Sequence, residues 1–351
     1  MYRVIGVTMG DPSGIGPEVI LKAFQQGSLG DDVRVVVYGS REVFLSQDAM
    51  LSRKGGDYST MNKKILDFKA VDEIDFENLG KEHLFIIDVS DGIEHIDRVR
   101  PGEPSAAGAR LQLAALMQAI EDAKRDVIDA IVTAPWTKNL FRLIGHPATG
   151  HTEVLAREFD VEDQVMMLAG PLLRVALVTT HVPLKDVSKG ITPERLEETI
   201  RTTAQDLTRW FGIKRPHVAV AALNPHAGEH GVIGDEEDEV IRPTIEVLQK
   251  KLYDGVRVDG PFAADTLFAR YGKEDEAPYD AVICMYHDQA LIPLKLLHFG
   301  QSANITLGLP VLRTSVDHGT AYDIAGQGIA DEGSMRYAMQ LAVEILDGAA
   351  Q

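Results

Sequence analysis

Met1-Tyr-Arg-Val-Ile-Gly-Val-Thr8 runs directly into Met9 and then Gly10-Asp-Pro-Ser-Gly-Ile-Gly-Pro-Glu18. The order of these two stretches decides the fold class. The first is short, apolar and β-branched, and it predicts a strand over Arg3–Thr8. The second is a glycine-rich turn that delivers the chain into an amphipathic run, predicting a helix over Glu18–Phe24. The same alternation continues outward from this unit. Further strands are expected over Val33–Tyr38, Leu84–Val89, Ile128–Thr133, Arg174–Thr180, His217–Leu223, Asp280–Met285 and Ala303–Leu307. Further helices are expected over Ser105–Arg125, Pro193–Phe211, Glu236–Leu252 and Ser334–Leu346. Thr192, Pro193 and Glu194 form a helix start signal of cap, preset first turn and acidic residue at the positive dipole end. Short strands alternating with longer helices specify an α/β fold with mostly parallel sheets.

At 351 residues the chain is long for one core, and two interleaved α/β domains are expected. We place the first at residues 1–130 with 302–351, as the cofactor side, and the second at 131–301, as the metal and dimer-interface side. No Pro- or Ser-rich linker separates them, so they must share or exchange strands, with the active-site cleft expected between them. Gln47–Glu82 is polar and weakly patterned and reads as variable surface structure.

The formal charge of −18 repels a phosphate backbone and argues against nucleic-acid binding. An anionic substrate must therefore be met by locally concentrated cations. The single cysteine, Cys284, lies in an apolar strand-like run and reads as a core residue. No signal-peptide core is visible, and no apolar stretch approaches the roughly 18–20 residues of a membrane span. A cytoplasmic protein without a membrane partner is expected.

Three histidines occupy equivalent places. His181 follows Val175-Ala-Leu-Val-Thr-Thr180, His226 follows Val218-Ala-Val-Ala-Ala-Leu223 through Asn224-Pro225, and His287 follows Ala281-Val-Ile-Cys-Met285 through Tyr286. Each falls just past the carboxyl end of an expected strand, where parallel sheets bind ligands. Three neutral imidazoles with an open position hold a catalytic divalent metal. Hydrogen-bonded loop histidines are the alternative, since no local ligand spacing joins the three. The glycine-rich opening is either a tight strand-to-helix turn or a binding loop at a helix N-terminus. It lacks the Gly-x-Gly-x-x-Gly dinucleotide fingerprint.

Polar groups then gather between apolar strands: Gly150-His-Thr-Glu153, Ala264-Asp-Thr266, Tyr286-His-Asp-Gln289, Lys295, Asn304 and Arg313-Thr-Ser-Val-Asp-His-Gly-Thr320. Lys295 and Arg313 supply the cations that the acidic chain otherwise lacks, and Arg suits bidentate phosphate contact.

In order along the chain, these segments resemble the 4-hydroxythreonine-4-phosphate dehydrogenase family, whose fold is similar to that of isocitrate and isopropylmalate dehydrogenases. The resemblance runs from Gly10 to about Ala330. It includes Thr179-Thr-His181, Leu223-Asn-Pro-His-Ala-Gly-Glu229, Met285-Tyr-His-Asp-Gln289, Asn304-Ile-Thr-Leu-Gly-Leu-Pro310 and Arg313-Thr-Ser-Val-Asp-His-Gly-Thr-Ala321. It implies that His181, His226 and His287 bind one divalent ion (Zn, Mg, Co or Mn) in a site shared across a homodimer interface. It implies that His151, Thr152, Lys295, Asn304 and Arg313 hold a small phosphorylated hydroxy acid. Asp265, Asp288 and Lys295 are the catalytic candidates, with the general base left open among them. His318-Gly-Thr-Ala-Tyr-Asp-Ile-Ala-Gly326, through His318 and Asp323, is assigned to NAD or NADP. Gly14 and Gly16 join that cofactor set under the binding-loop reading.

The implied activity is NAD-dependent oxidation and decarboxylation of 4-phosphohydroxy-L-threonine to 3-amino-2-oxopropyl phosphate, in pyridoxal phosphate (vitamin B6) biosynthesis. Sister readings are a D-threonate or D-erythronate 4-phosphate dehydrogenase of sugar-acid catabolism, an aromatic cis-dihydrodiol dehydrogenase, and a non-catalytic phosphometabolite-binding protein. Ala263 stands where the family usually has Pro, and Ala290 where it usually has Gly. Neither change removes a functional group.

Overall fold

The computed structural model describes residues 2–53, 64–147, 150–251, 255–271 and 277–349. Its strands are β1 (Arg3–Thr8), β2 (Val33–Gly39), β3 (Ile65–Phe68), β4 (Leu84–Asp88), β5 (Ala130–Thr133) and β6 (Val165–Ala169). They continue with β7 (Arg174–Leu177), β8 (His217–Ala221), β9 (Arg257–Phe262), β10 (Ala281–Cys284), β11 (Ala303–Leu307) and β12 (Leu312–Ser315). Two compact units result, Met1–Asp160 with Leu309–Glu344, and Val161–Gly308 with Ile345–Gln351. The crossings fall at 160/161 and 308/309 where 130/131 and 301/302 are expected from sequence. The reason is strand pairing. β5 is locked in parallel between β1 and β12 of the first unit, while β11 pairs with β6 of the second.

In the first unit the strand order is β3-β4-β2-β1-β5-β12, with every neighbouring pair parallel. Ile5, Val7, Val36, Val37, Phe85 and Ile86 are fully buried, the two-sided burial that parallel strands require. The helix Ala106–Lys124 buries Ala109, Ala115 and Ala119, small residues that let its backbone approach the sheet. Its start is capped by Ser105, whose hydroxyl accepts the Gly108 N–H at 3.1 Å.

In the second unit the order is β11-β6-β7-β10-β8-β9. β6 runs antiparallel to both β11 and β7, and the remaining pairs are parallel. Val175, Leu177, Ala219, Ala221, Val282 and Cys284 form its core. Burial pushes the Cys284 thiol well up from its ordinary value, so it packs as an inert apolar group. The helix Pro193–Arg209 starts at Thr192, whose hydroxyl accepts the Arg195 N–H at 3.3 Å, as its sequence signal predicts. The helix expected over Glu236–Leu252 begins instead with a π-turn over Glu237–Ile241 and continues as Arg242–Lys251. Leu252 lies outside the described residues.

Gln47–Glu82 is not uniformly surface structure. Gln47, Asp48 and Leu51 are buried on the helix Arg41–Arg53, and Ile65 is buried in β3. Residues 54–63 of that segment lie outside the described residues. Among the described residues no helix is long and apolar enough to cross a membrane.

Candidate active site

In the second unit, β7, β10 and β8 are adjacent and parallel, and His181, His287 and His226 lie in the segments just beyond their carboxyl ends. The strand order therefore brings three loops to one sheet edge from positions far apart in sequence. The rings of His181 and His287 are 5.5 Å apart between centroids. His287 Nδ1 lies 2.7 Å from Asp288 Oδ1. With the proton on Nδ1 donated to that carboxylate, Nε2 keeps a free lone pair for a metal. His226 and His181 are exposed. Among the described residues no group of three or more His, Cys, Asp and Glu side chains is closed to metal-holding distance. The structure thus pairs His181 with His287 and sets His226 on the neighbouring strand end.

His226 shares a pocket with Asp265, Asp288, Tyr286, Phe268 and Leu296. Three of the sequence-predicted residues, His226, Asp265 and Asp288, are brought together there. Asp265 is exposed in the first turn of the helix Ala264–Tyr271. Lys295 is half-buried on the helix His287–His298. Asn304 lies on β11, and its Oδ1 is buried without a hydrogen-bond partner. Gln289 staples two of the strand ends. Its Oε1 accepts the Met285 N–H at 2.7 Å, and its Nε2 donates to the Ala222 carbonyl at 2.6 Å.

A second constellation forms in the first unit. Arg313, only 3% exposed on β12, donates from Nη2 to Thr133 Oγ1 at the end of β5, at 2.7 Å. Burial holds its guanidinium down to about 10, and the nearby Glu153 carboxylate works in the opposite direction. His151 opens the helix His151–Glu158, with Thr152 beside it in the first turn. Its imidazole is held well below its usual range, first by burial and then by the positive charges of Arg313 and Lys138. It therefore stays neutral at pH 7. The His151 and Trp136 rings lie 4.1 Å apart at 42°. His151 Nε2 and Trp136 Nε1 are both buried without hydrogen-bond partners. A helix N-terminus, a buried guanidinium and a lysine lie near these unpartnered polar atoms, donors of the kind that bind an anion. Lys138 escapes a reading by residue type. The available signal is its place, just past the end of β5.

The glycine-rich opening is buried throughout. A Cβ on Gly14 would lie 2.8 Å from the Thr320 carbonyl oxygen, and one on Gly16 would lie 2.3 Å from that of Met9. The space beside both glycines is filled by backbone, which favours the tight turn over the binding loop. Gly14 does meet the 318–326 stretch, since Ile15 N–H donates to the Thr320 carbonyl at 3.0 Å. The Tyr322 hydroxyl donates to Asp11 Oδ2 at 2.5 Å and also lies 2.7 Å from Thr137 Oγ1. The buried Glu18 carboxylate accepts the Gly328 and Ala330 N–H groups and pairs with Lys22 at 3.0 Å. His318 Nε2 is buried and unpartnered, whereas Asp323 is exposed.

Comparison with known proteins adds to this geometry. The family model of the pyridoxal phosphate biosynthetic protein PdxA matches residues 31–342. A 4-hydroxythreonine-4-phosphate dehydrogenase of Geobacter metallireducens is 41% identical over 341 residues, covering 97% of this chain and 95% of the relative. The crystal structure of a 4-hydroxythreonine-4-phosphate dehydrogenase from Klebsiella pneumoniae superposes with a TM-score of 0.85 at 37% identity, covering 98% of this chain and 99% of that one. One from Burkholderia phymatum gives 0.81 at 39% identity, covering 98% of each chain.

Proposed function

This chain belongs to the PdxA family of pyridoxal phosphate biosynthetic proteins, and on that premise we propose that it is a 4-hydroxythreonine-4-phosphate dehydrogenase. It oxidises and decarboxylates 4-phosphohydroxy-L-threonine to 3-amino-2-oxopropyl phosphate, with NAD or NADP as hydride acceptor. The observation that carries the reading is the cationic cluster in the first unit. Arg313 is buried, His151 is kept neutral, and Lys138 stands nearby, in a protein of net charge −18. A phosphorylated substrate explains why a desolvated guanidinium stands there with a lysine nearby.

The phosphate is assigned to Arg313, His151, Thr152 and Lys138. Three imidazoles at the ends of adjacent parallel strands suit a divalent ion of the zinc, cobalt, manganese or magnesium kind. When bound, that ion lowers the pKa of a ligated hydroxyl and stabilises developing negative charge on oxygen. His181, His226 and His287 would hold it. Asp288 is engaged with His287 at 2.7 Å and serves to orient that ring. Of the three candidates for the base that takes the substrate hydroxyl proton, this leaves Asp265 and Lys295. His318 and Asp323 are assigned to the adenosine side of the nicotinamide cofactor. Gly14 and Gly16 shape the turn behind that segment.

A homodimer suits the apolar side chains that the helix His287–His298 and the residue after it leave in solvent. Leu296 and Phe299 are each 84% exposed. A lone buried thiol suits the reducing cytoplasm.

The test is NADH formation by metal-loaded protein with 4-phosphohydroxy-L-threonine and, in parallel, D-threonate and D-erythronate 4-phosphates. A preference of about 100-fold in kcat/KM for the amino acid, roughly 2.7 kcal/mol, supports the assignment. Preference for a sugar acid moves the enzyme into catabolism, and no turnover of any of the three overturns the proposal.

A further inference from the structure

The loop after β8 holds the most unusual backbone of the second unit. Consecutive residues from His226 to Gly231 all have positive φ: His226 54°, Ala227 56°, Gly228 77°, Glu229 44°, His230 58° and Gly231 86°. L-residues avoid this region, and a run of them persists only where the surroundings over-determine it.

Two adjacent carboxylates fix the chain where it enters this run. Glu237 is 1% exposed. Its Oε1 accepts the Leu223 N–H at 2.8 Å and the Asn224 N–H at 2.7 Å, and its Oε2 accepts Asn224 Nδ2 at 2.9 Å. Gly228 packs so closely that a Cβ there would lie 2.8 Å from Glu237 Oε2. Glu236 accepts Asn224 Nδ2 on Oε2 and the Ser188 hydroxyl on Oε1, each at 2.7 Å. Ser188 belongs to the short helix Val187–Gly190, reached from His181 through Leu184–Asp186. One side of this pair therefore grips the His226 loop and the other grips the chain beyond His181. Among the described residues neither carboxylate forms an ion pair with Lys or Arg, so their bonds go to loop geometry. They sit where a π-turn replaces ordinary helix, Glu236 at its cap and Glu237 as its first residue, an irregularity that recurs at functional sites.

We propose that Glu236 and Glu237 are positioning residues for the metal site, tying the His226 loop to the chain beyond His181. The proposal rests on the reading that His181, His226 and His287 bind the metal. The experiment titrates Co²⁺ into chelator-treated, full-length protein and follows the visible absorption bands of histidine-bound cobalt. Wild type is compared with Glu237→Gln, Glu236→Gln and His226→Ala, and melting in chelator is recorded for each.

Glu237→Gln sets an amide NH2 against donors and is expected to weaken cobalt binding about 10- to 100-fold and to alter the band shape. Glu236→Gln, with a less buried side chain, is expected to weaken it about 10-fold, and it carries the test if the first variant does not fold. Wild-type cobalt affinity and bands in both glutamine variants, alongside their loss in His226→Ala, overturns the positioning role whatever the melting shift. Unchanged bands in His226→Ala instead overturn the three-histidine reading, and the proposal falls with it.

Discussion

Arg313 on β12 reaches Thr133 at the end of β5, with a 2.7 Å bond between guanidinium Nη2 and hydroxyl Oγ1 and both side chains buried. A desolvated guanidinium beside a neutral hydroxyl is suited to meet an anionic ligand. Arg313→Ala is expected to lower kcat/KM about 10- to 150-fold, mostly through KM, which is the size of a lost charged hydrogen bond. Arg313→Lys should recover only part of this, because an ammonium lacks the planar fork. Steady-state kinetics with phosphorylated and unphosphorylated 4-hydroxy-L-threonine checks it, since the phosphate-free substrate should feel little change.

The His151 imidazole is held well below its usual value in the folded protein. Above the unfolded value of about 6.5 both states are neutral and the residue contributes no pH dependence. Below it the unfolded chain takes up a proton that the folded protein refuses. Stability then falls as pH drops, by up to about 1.4 kcal/mol per unit. His298 is depressed by burial as well, so the slope has more than one source. Urea unfolding at pH 7 and pH 5.5 should show a smaller loss for His151→Gln than for wild type.

Tyr322→Phe removes the hydroxyl that joins Asp11 to Thr137 and leaves a buried carboxyl without its side-chain donor. Burial already raises the Asp11 carboxyl above its ordinary value. A loss of about 1–3 kcal/mol in stability is expected. The KM for NAD should rise several-fold while the KM for the phosphorylated substrate stays near wild type. Paired kinetics and thermal melting separate the two effects.

Leu296→Glu places a charge on the exposed apolar stretch that carries Leu296 and Phe299. If a second copy covers this face, the substitution converts the dimer to monomer and abolishes most turnover. Analytical ultracentrifugation of wild type and variant at micromolar concentration decides it, and a variant profile unchanged from wild type would rule this face out as the contact.

The strands legible from sequence are those rich in Val and Ile, such as β1, β2 and β8, where two-sided burial leaves an unbroken apolar run. The ones missed, β3, β6, β9 and β12, have other compositions, two of them telling. β6 is Val165-Met-Met-Leu-Ala169, flexible side chains with little β preference. β12 is Leu312-Arg-Thr-Ser315, whose polar residues are buried because Arg313 meets Thr133 and Thr314 donates to the Ala338 carbonyl at 2.9 Å. A strand with buried polar residues therefore reads as a loop. The helix His287–His298 hides behind Pro293 and its opening His-Asp-Gln. The placement of the three histidines was legible because they follow expected strands, whereas the surroundings of Lys138, Glu236 and Glu237 are supplied only by the fold. His226 gives no sequence hint of its left-handed backbone, and Glu237, from a later element, grips the chain just ahead of it.

Val165 faces Leu307 in the β6–β11 ladder, so the chain arrives at and departs from the second unit's sheet at opposed positions. That sheet is a closed excursion from the first unit, and all its strands leave the ribosome before Leu312. It has what it needs to assemble during synthesis. The first unit does not, because the β12 edge of β5 waits for a strand made last. An unsatisfied edge on a growing chain is where mispairing starts. Aggregation during expression, and sensitivity to truncation beyond Leu309, should therefore concentrate in the half of the protein whose synthesis begins first.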